Sequence, residues 1–448
     1  MSSPSLRGLW NECRATVRGL ERWRCCMVFF SSAFLAFGLY HVHSVSGITE
    51  GGVLGRGSAS TGTSVGMYEA VILVDGDPNR FGGKSVYHAI DNVNNIIGPA
   101  IIGMDVTDQA AIDRRMIELD GTPNKSELGG NAIYATSIAC IKAAARTQHM
   151  ELYRYIAGGS IKTIPIPTFN SINGGTYGKF CMGIQEFTFC PYRAENMAEA
   201  VEIAMKVFPM IGQVITEYQH GRPAKVGHYY GWEPPTEDPD VVMQLLHEAV
   251  LRCGCENKVA YALDCASSEV YDAETQTYYM NGRQISRDEM IDFGRRMSEQ
   301  YKFLYIEDLL NENDWEGYTQ ASKAIDKTIL IGDDFIVTNV ERLKRAYQEK
   351  AVGGFIFKPN QVGTITESLE THNYAKAHGM ITVPSQRGGG VIDDVAMDLC
   401  LALEVPAVKN SAPRSGERIY ACNMLYRAAD QNPDAKLYDF SKLQRFED

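Results

Sequence analysis

Three acidic residues, Asp264, Glu307 and Asp333, each follow directly on a short run of β-branched or aliphatic residues, in VAYALDCASSE, LYIEDLL and LIGDDF. Lys358 stands in the same relation to its neighbours in GGFIFKPNQVGT, so four reactive side chains end four successive strand-like segments. One acid in such a place merely caps the helix that follows. Three acids and a lysine are a different matter. In a barrel of alternating strands and helices the carboxyl ends of the strands meet at one mouth, and reacting groups sit there. Carboxylates gathered at that mouth repel one another unless a cation lies between them, and oxygen donors of this type suit magnesium. The pattern predicts a Mg2+ site with Lys358 beside it.

The rest of the chain supplies the alternation that a barrel needs. Amphipathic stretches over 287–299, 340–349, 367–378 and 394–404 separate the strand-like segments. Ser286 with Glu289, and Thr338 with Glu341, have the spacing of capping boxes at helix starts. Such alternation implies a parallel sheet, and the number of units favours closure into a barrel over an open sheet. Upstream, SVYHAIDNVNNIIGPAI and NAIYATSIACIKAAARTQ return apolar residues every three or four places, which predicts helices of a smaller domain. The glycine-rich stretch 51–66 reads as a loop. With 448 residues the chain exceeds what one core usually serves. The expected division is 49–163 for the small domain and 164–448 for the barrel.

Charge and cysteine usage narrow the function classes. With 43 basic against 55 acidic residues and no basic stripe, nucleic acid is excluded as a partner. Eleven scattered cysteines match neither a zinc spacing nor a disulfide framework, so reduced thiols in the cytoplasm are expected. Residues 1–48 stand apart. A basic RGLERWR precedes an uncharged run over 25–40, which has the form of a signal or anchor segment yet falls short of the roughly 20 residues that span a bilayer. Membrane or organelle targeting through 25–40, and a mispredicted exon, are both open readings of it.

LDCASSE, IED followed by DWE, GDDFIVTN, KPNQVGT, DGTPNKSELGGNAI and NSINGG with IQEF together resemble enolase, the phosphopyruvate hydratase of glycolysis, from about Thr49 to the carboxyl terminus. The resemblance implies an eight-stranded α/β barrel of TIM type under a smaller amino-terminal α+β capping domain, usually in a homodimer. It implies a substrate, 2-phosphoglycerate, converted reversibly to phosphoenolpyruvate and water with Mg2+. By position, Asp264, Glu307 and Asp333 would hold the first metal, and Lys358 would be the base. Lys409 would neutralise the substrate carboxylate, Arg387 would bind phosphate, and Gln185 and Glu186 would lie in the site. Ser64, five residues before Glu69, would carry a second ion, with Ser60 as a competing register. The chemistry suits these residue types. Proton removal beside a carboxylate makes a dianion that needs divalent charge, and neighbouring cations with partial burial would lower the pKa of the lysine base.

The chain also departs from the family pattern. Tyr177 stands where the family has a histidine, VGHYYGWEPP places His228 and Tyr229 where it has an acidic pair, and SHRSG has become SQRGG with Gln386 and Gly388. A positioned general acid or base contributes roughly 10²- to 10⁴-fold in rate, and a phenol with a pKa of about 10 replaces a carboxyl poorly. Three expectations follow: a slowed hydratase using Glu186 and Tyr229, an inactive paralogue that binds, or the same cage serving another proton abstraction. The family's opening strand pair finds no match within residues 1–48.

Overall fold

The computed structural model describes residues 28–36, 40–62, 65–176, 182–392, 394–443 and 446. Three antiparallel strands open it: β1 (Val28–Ala36), β2 (Tyr40–Ile48) and β3 (Leu54–Ala59). Ala36 lies opposite Tyr40 across the first pair and Ile48 opposite Leu54 across the second. The stretch read as an anchor, and as lacking an opening strand pair, is therefore largely a hairpin. No helix among the described residues is long and apolar enough to cross a membrane. Part of the expected 51–66 loop is likewise strand β3. Its glycines have a packing role: a Cβ on Gly55 would lie 2.0 Å from the Ala139 carbonyl oxygen, and one on Gly57 2.2 Å from that of Ala135. They let the sheet lie directly on the alanine-rich face of a buried helix.

That helix is α2 (Gly130–Thr147), preceded by α1 (Gln109–Asp120); α2 packs on the sheet and α1 packs on α2. The barrel strands are β4 (Ile166–Gly175), β5 (Met182–Cys190), β6 (Ala260–Asp264), β7 (Phe303–Glu307), β8 (Ile329–Gly332), β9 (Gly354–Phe357), β10 (Ile381–Pro384) and β11 (Ala407–Lys409). They run in the order β10-β9-β8-β7-β6-β5-β4-β11, and a bridge between Ser385 and Lys409 joins the two ends. The fold is an eight-stranded α/β barrel with a capping domain.

One strand departs from the expected parallel arrangement: β5 runs against both β4 and β6. The link from Gly175 to Met182 is too short for a crossover, and a link of that length joins antiparallel neighbours. Two helices, α3 (Met197–Tyr218) and α4 (Pro239–Arg252), then restore the direction before β6. Helices α5 (Arg287–Gln300), α6 (Trp315–Ala324), α7 (Val340–Glu349), α8 (Ile365–Ala377) and α9 (Ala396–Ala402) alternate with the later strands, and α10 (Gly416–Gln431) follows β11. Ser286 and Glu289 form the expected capping box on α5. Thr338 does not cap α7. Asn339 does, accepting from the Glu341 and Arg342 amides, because the Thr338 hydroxyl is engaged with Gln361 and the Lys358 amide.

Candidate active site at the barrel mouth

Strand alternation aims the site. Ala262, Tyr305, Ile331, Ile356 and Ala407 belong to one buried cluster, whereas their neighbours Leu263, Ile306, Leu330, Phe355 and Val408 pack in the other. Side chains two positions apart on a strand share a face. Asp264, Glu307, Asp333, Lys358 and Lys409 each follow a member of the first cluster by two, so all five continue one inward-facing set. Glu307 pairs in register with Asp264 on one side and with Ile331 on the other. Because β5 is reversed, Glu186 lies directly opposite Asp264 and joins the same rim.

The distances show how closely these groups meet. Lys409 Nζ lies 2.5 Å from Asp264 Oδ2, 2.8 Å from Glu307 Oε2 and 3.2 Å from Glu186 Oε2. Lys358 Nζ donates to Asp333 Oδ2, and Gln361 Nε2 donates to Asp333 Oδ1 at 2.7 Å. Gln185 Nε2 reaches Asp264 at 3.3 Å, and Asn170 Nδ2 holds Glu186 Oε1 at 2.9 Å. All of these acids are buried, Glu307 completely.

Burial and crowding set the protonation of the acids. Burial, then the Asp264 charge, pushes the Glu307 carboxyl well up, and burial likewise raises Glu186. Burial also works to raise Asp333, but Lys358 and Arg387 outweigh it and hold this carboxyl below its usual range. Burial pulls Lys358 down, yet the Asp333 carboxylate outweighs it and the ammonium is held above its ordinary value.

A second acidic trio lies alongside, with carboxylate oxygens of Asp308, Asp333 and Asp334 within 4.8 Å of one another. The oxygens of Asp308 accept from the Asp333 and Asp334 amides at 2.9 and 2.8 Å, which fixes the turn presenting Asp333. Burial and the neighbouring acids push Asp308 up to about 7. Each of its oxygens thus already serves one backbone amide. Asp264, Glu307 and Asp333 offer only hard oxygens, and beside them Asn170 Oδ1 and Gln185 Oε1 are buried without a hydrogen-bond partner among the described residues. That donor set fits Mg2+.

The remaining predicted residues fall as follows. Arg387 is buried and paired through both terminal nitrogens with Glu69. Gln386 accepts from Arg418 Nη1 at 2.9 Å, and Arg418 Nη2 also grips the Arg387 carbonyl at 2.7 Å. Tyr229 is buried on a hairpin closed by a bridge from Val226 to Trp232, its ring edge-on to His228. Gly231 of that hairpin donates to Asn173 on β4, which places the hairpin beside the rim. Ser64 and Tyr177 lie outside the described residues. Sequence reasoning missed Glu69, Gln361, Arg418 and Asp308 as contributors. KPNQVGT contained Gln361 and GDDF pointed to paired acids, but nothing local marks Glu69 as the partner of an arginine 318 positions away.

Fold and mouth together define an α/β-barrel protein whose capping domain lends a loop to the barrel rim. The family model for the enolase C-terminal TIM barrel domain matches residues 161–446, and that for the enolase N-terminal domain matches 42–156. The chain is 40% identical to the enolase of Methanocaldococcus jannaschii over 85% of its own length and 89% of that protein. It is 39% identical to the enolase of Methanococcus maripaludis strain C5 over 86% and 90%. The chain belongs to the enolase family.

Proposed function

We propose that this protein is a Mg2+-dependent lyase that interconverts 2-phosphoglycerate with phosphoenolpyruvate and water, at a rate reduced by its altered rim. The observation that carries this reading is the meeting of Asp264, Glu307, Asp333, Lys358 and Lys409 on one inward face. Asp264, Glu307 and Asp333 would hold Mg2+, which when bound supplies the positive charge that a carbanion next to a carboxylate requires. Lys358 sits where a base removes the proton, and Lys409 where a substrate carboxylate is neutralised. Arg387 recognises the phosphate through its planar fork. Glu186, held by Asn170, stands across from Asp264 as the acid for the departing hydroxyl. Ser64 would serve a second ion, and Tyr177 and Gln386 would line the substrate. The family resemblance supports a cytoplasmic homodimer.

A second reading, a binding protein without turnover, is favoured by one observation: Gln386 is tied to Arg418 and Tyr229 is packed on His228 where the family supplies ionisable groups. An absorbance assay for phosphoenolpyruvate formation, with and without Mg2+, separates the two. Metal-dependent turnover by folded protein supports the lyase, and a rate no greater than the metal-free background refutes it.

A further inference from the structure

The loop crossing from the capping domain to the mouth ends on Glu69. Its side chain is 1% exposed, and its two oxygens take Nη1 and Nη2 of Arg387 at 2.8 and 3.1 Å. Neighbouring contacts pin the loop on the barrel: Met67 N donates to Glu312 at 3.1 Å, the Tyr68 hydroxyl to Asn313 at 2.6 Å, and Ala70 N to the Gln361 carbonyl at 2.7 Å. Gly66 N donates to Glu69 Oε1 at 3.1 Å, so the same carboxylate closes its own turn. Arg387 is only 4% exposed with this carboxylate against it. An arriving anion meets a covered guanidinium and a like charge.

We propose that Glu69 is a specificity-determining residue, an internal carboxylate that occupies Arg387 until a substrate phosphate takes its place. This rests on the reading of Arg387 as the phosphate-binding residue. A guanidinium forks onto carboxylate and phosphate with the same geometry, and the phosphate brings more charge and a third acceptor oxygen. A phosphorylated acid therefore displaces Glu69, whereas an acid without phosphate leaves the pair intact and is turned away. Displacement also takes the acceptor from Gly66 N, so ligand binding loosens the turn at 66–69. Breaking one side of a buried ion pair strands the other charge. A neutral side chain at position 69 removes the carboxylate that forks onto Arg387 and leaves that place to an incoming anion.

Calorimetric titration of inorganic phosphate into full-length wild type, E69Q and R387Q at constant Mg2+ tests this. E69Q should bind about tenfold more tightly than wild type, the scale of one hydrogen bond to a charged group, and R387Q more weakly. Weakened binding in R387Q with unchanged or weakened binding in E69Q overturns the role of Glu69 and leaves Arg387 as the phosphate site. Binding by R387Q equal to wild type removes the reading beneath, and the proposal with it. Should E69Q not fold, E69D pulls the carboxylate back by one methylene and should tighten binding by a smaller factor; no tightening overturns the proposal. Phosphate should also speed amide exchange at Gly66 in wild type, and unchanged protection there counts against displacement.

Discussion

At the scale of the residue, Asp333 meets most of the site at once: Lys358 on one oxygen, Gln361 on the other, and the Arg387 charge nearby. Asp333→Asn removes the charge a divalent ion would bind while keeping the shape. It should abolish Mg2+-dependent thermal stabilisation, read as the melting shift on adding Mg2+, and a shift equal to wild type would contradict ligation. Restoring the family's ionisable groups argues in the other direction. Tyr229→Glu combined with Gln386→His should raise the hydratase rate by roughly 10-fold or more, given what a positioned acid contributes. Groups that act as a unit do not contribute additively, so the double variant is compared with each single one by steady-state kinetics. Equal rates would place the loss elsewhere on the rim.

At the scale of the element, close approach governs the capping domain. Gly57 lies so near the Ala135 carbonyl that no side chain fits without moving the strand off the helix. Gly57→Ala should destabilise the protein by about 2 kcal/mol, the usual cost of overpacking a filled contact, and urea unfolding measures it. Asp264, Glu307, Asp333 and Lys358 were legible from sequence because each ends an aliphatic run, and runs of that kind become buried strands, whereas Lys409 was reached only through the family resemblance. The reversal of β5 was not, since IQEF carries no mark of direction. The short length of chain between Gly175 and Met182 determines it, and with it the place of Glu186 opposite Asp264.

At the scale of the whole molecule, the capping domain holds the segment that follows Lys358. Ile365 N donates to Ser137 at 3.1 Å, Thr366 N to Asp113 at 3.0 Å, and Lys125 Nζ meets Glu367 at 3.0 Å. These contacts span more than 200 positions of sequence and no local pattern announces them, which is why the site's outer supports stayed illegible while its centre did not. Global stability carries a pH signature of its own. Burial, and then the Lys376 charge, hold the His372 imidazole down to about 4 against its ordinary 6.5. Below pH 6.5 the unfolded chain takes up a proton that the folded one refuses, so stability falls as pH drops from 6.5 towards 4. The loss approaches roughly 3 kcal/mol at the lower end. His372→Asn should flatten this slope relative to wild type in chemical denaturation across that range, and parallel slopes would show that the imidazole titrates alike in both states.

The bridge between Ser385 and Lys409 sews the barrel shut at the rim itself. On one side of that seam Gln386 and Arg387 leave β10, and on the other Lys409 ends β11 and reaches for three carboxylates. A partly wound sheet would keep its hydrophobic filling yet split its charges into two distant halves. Acquiring competence and completing the circle become a single event, so a ligand that spans both edges would act as a stitch for the entire wall.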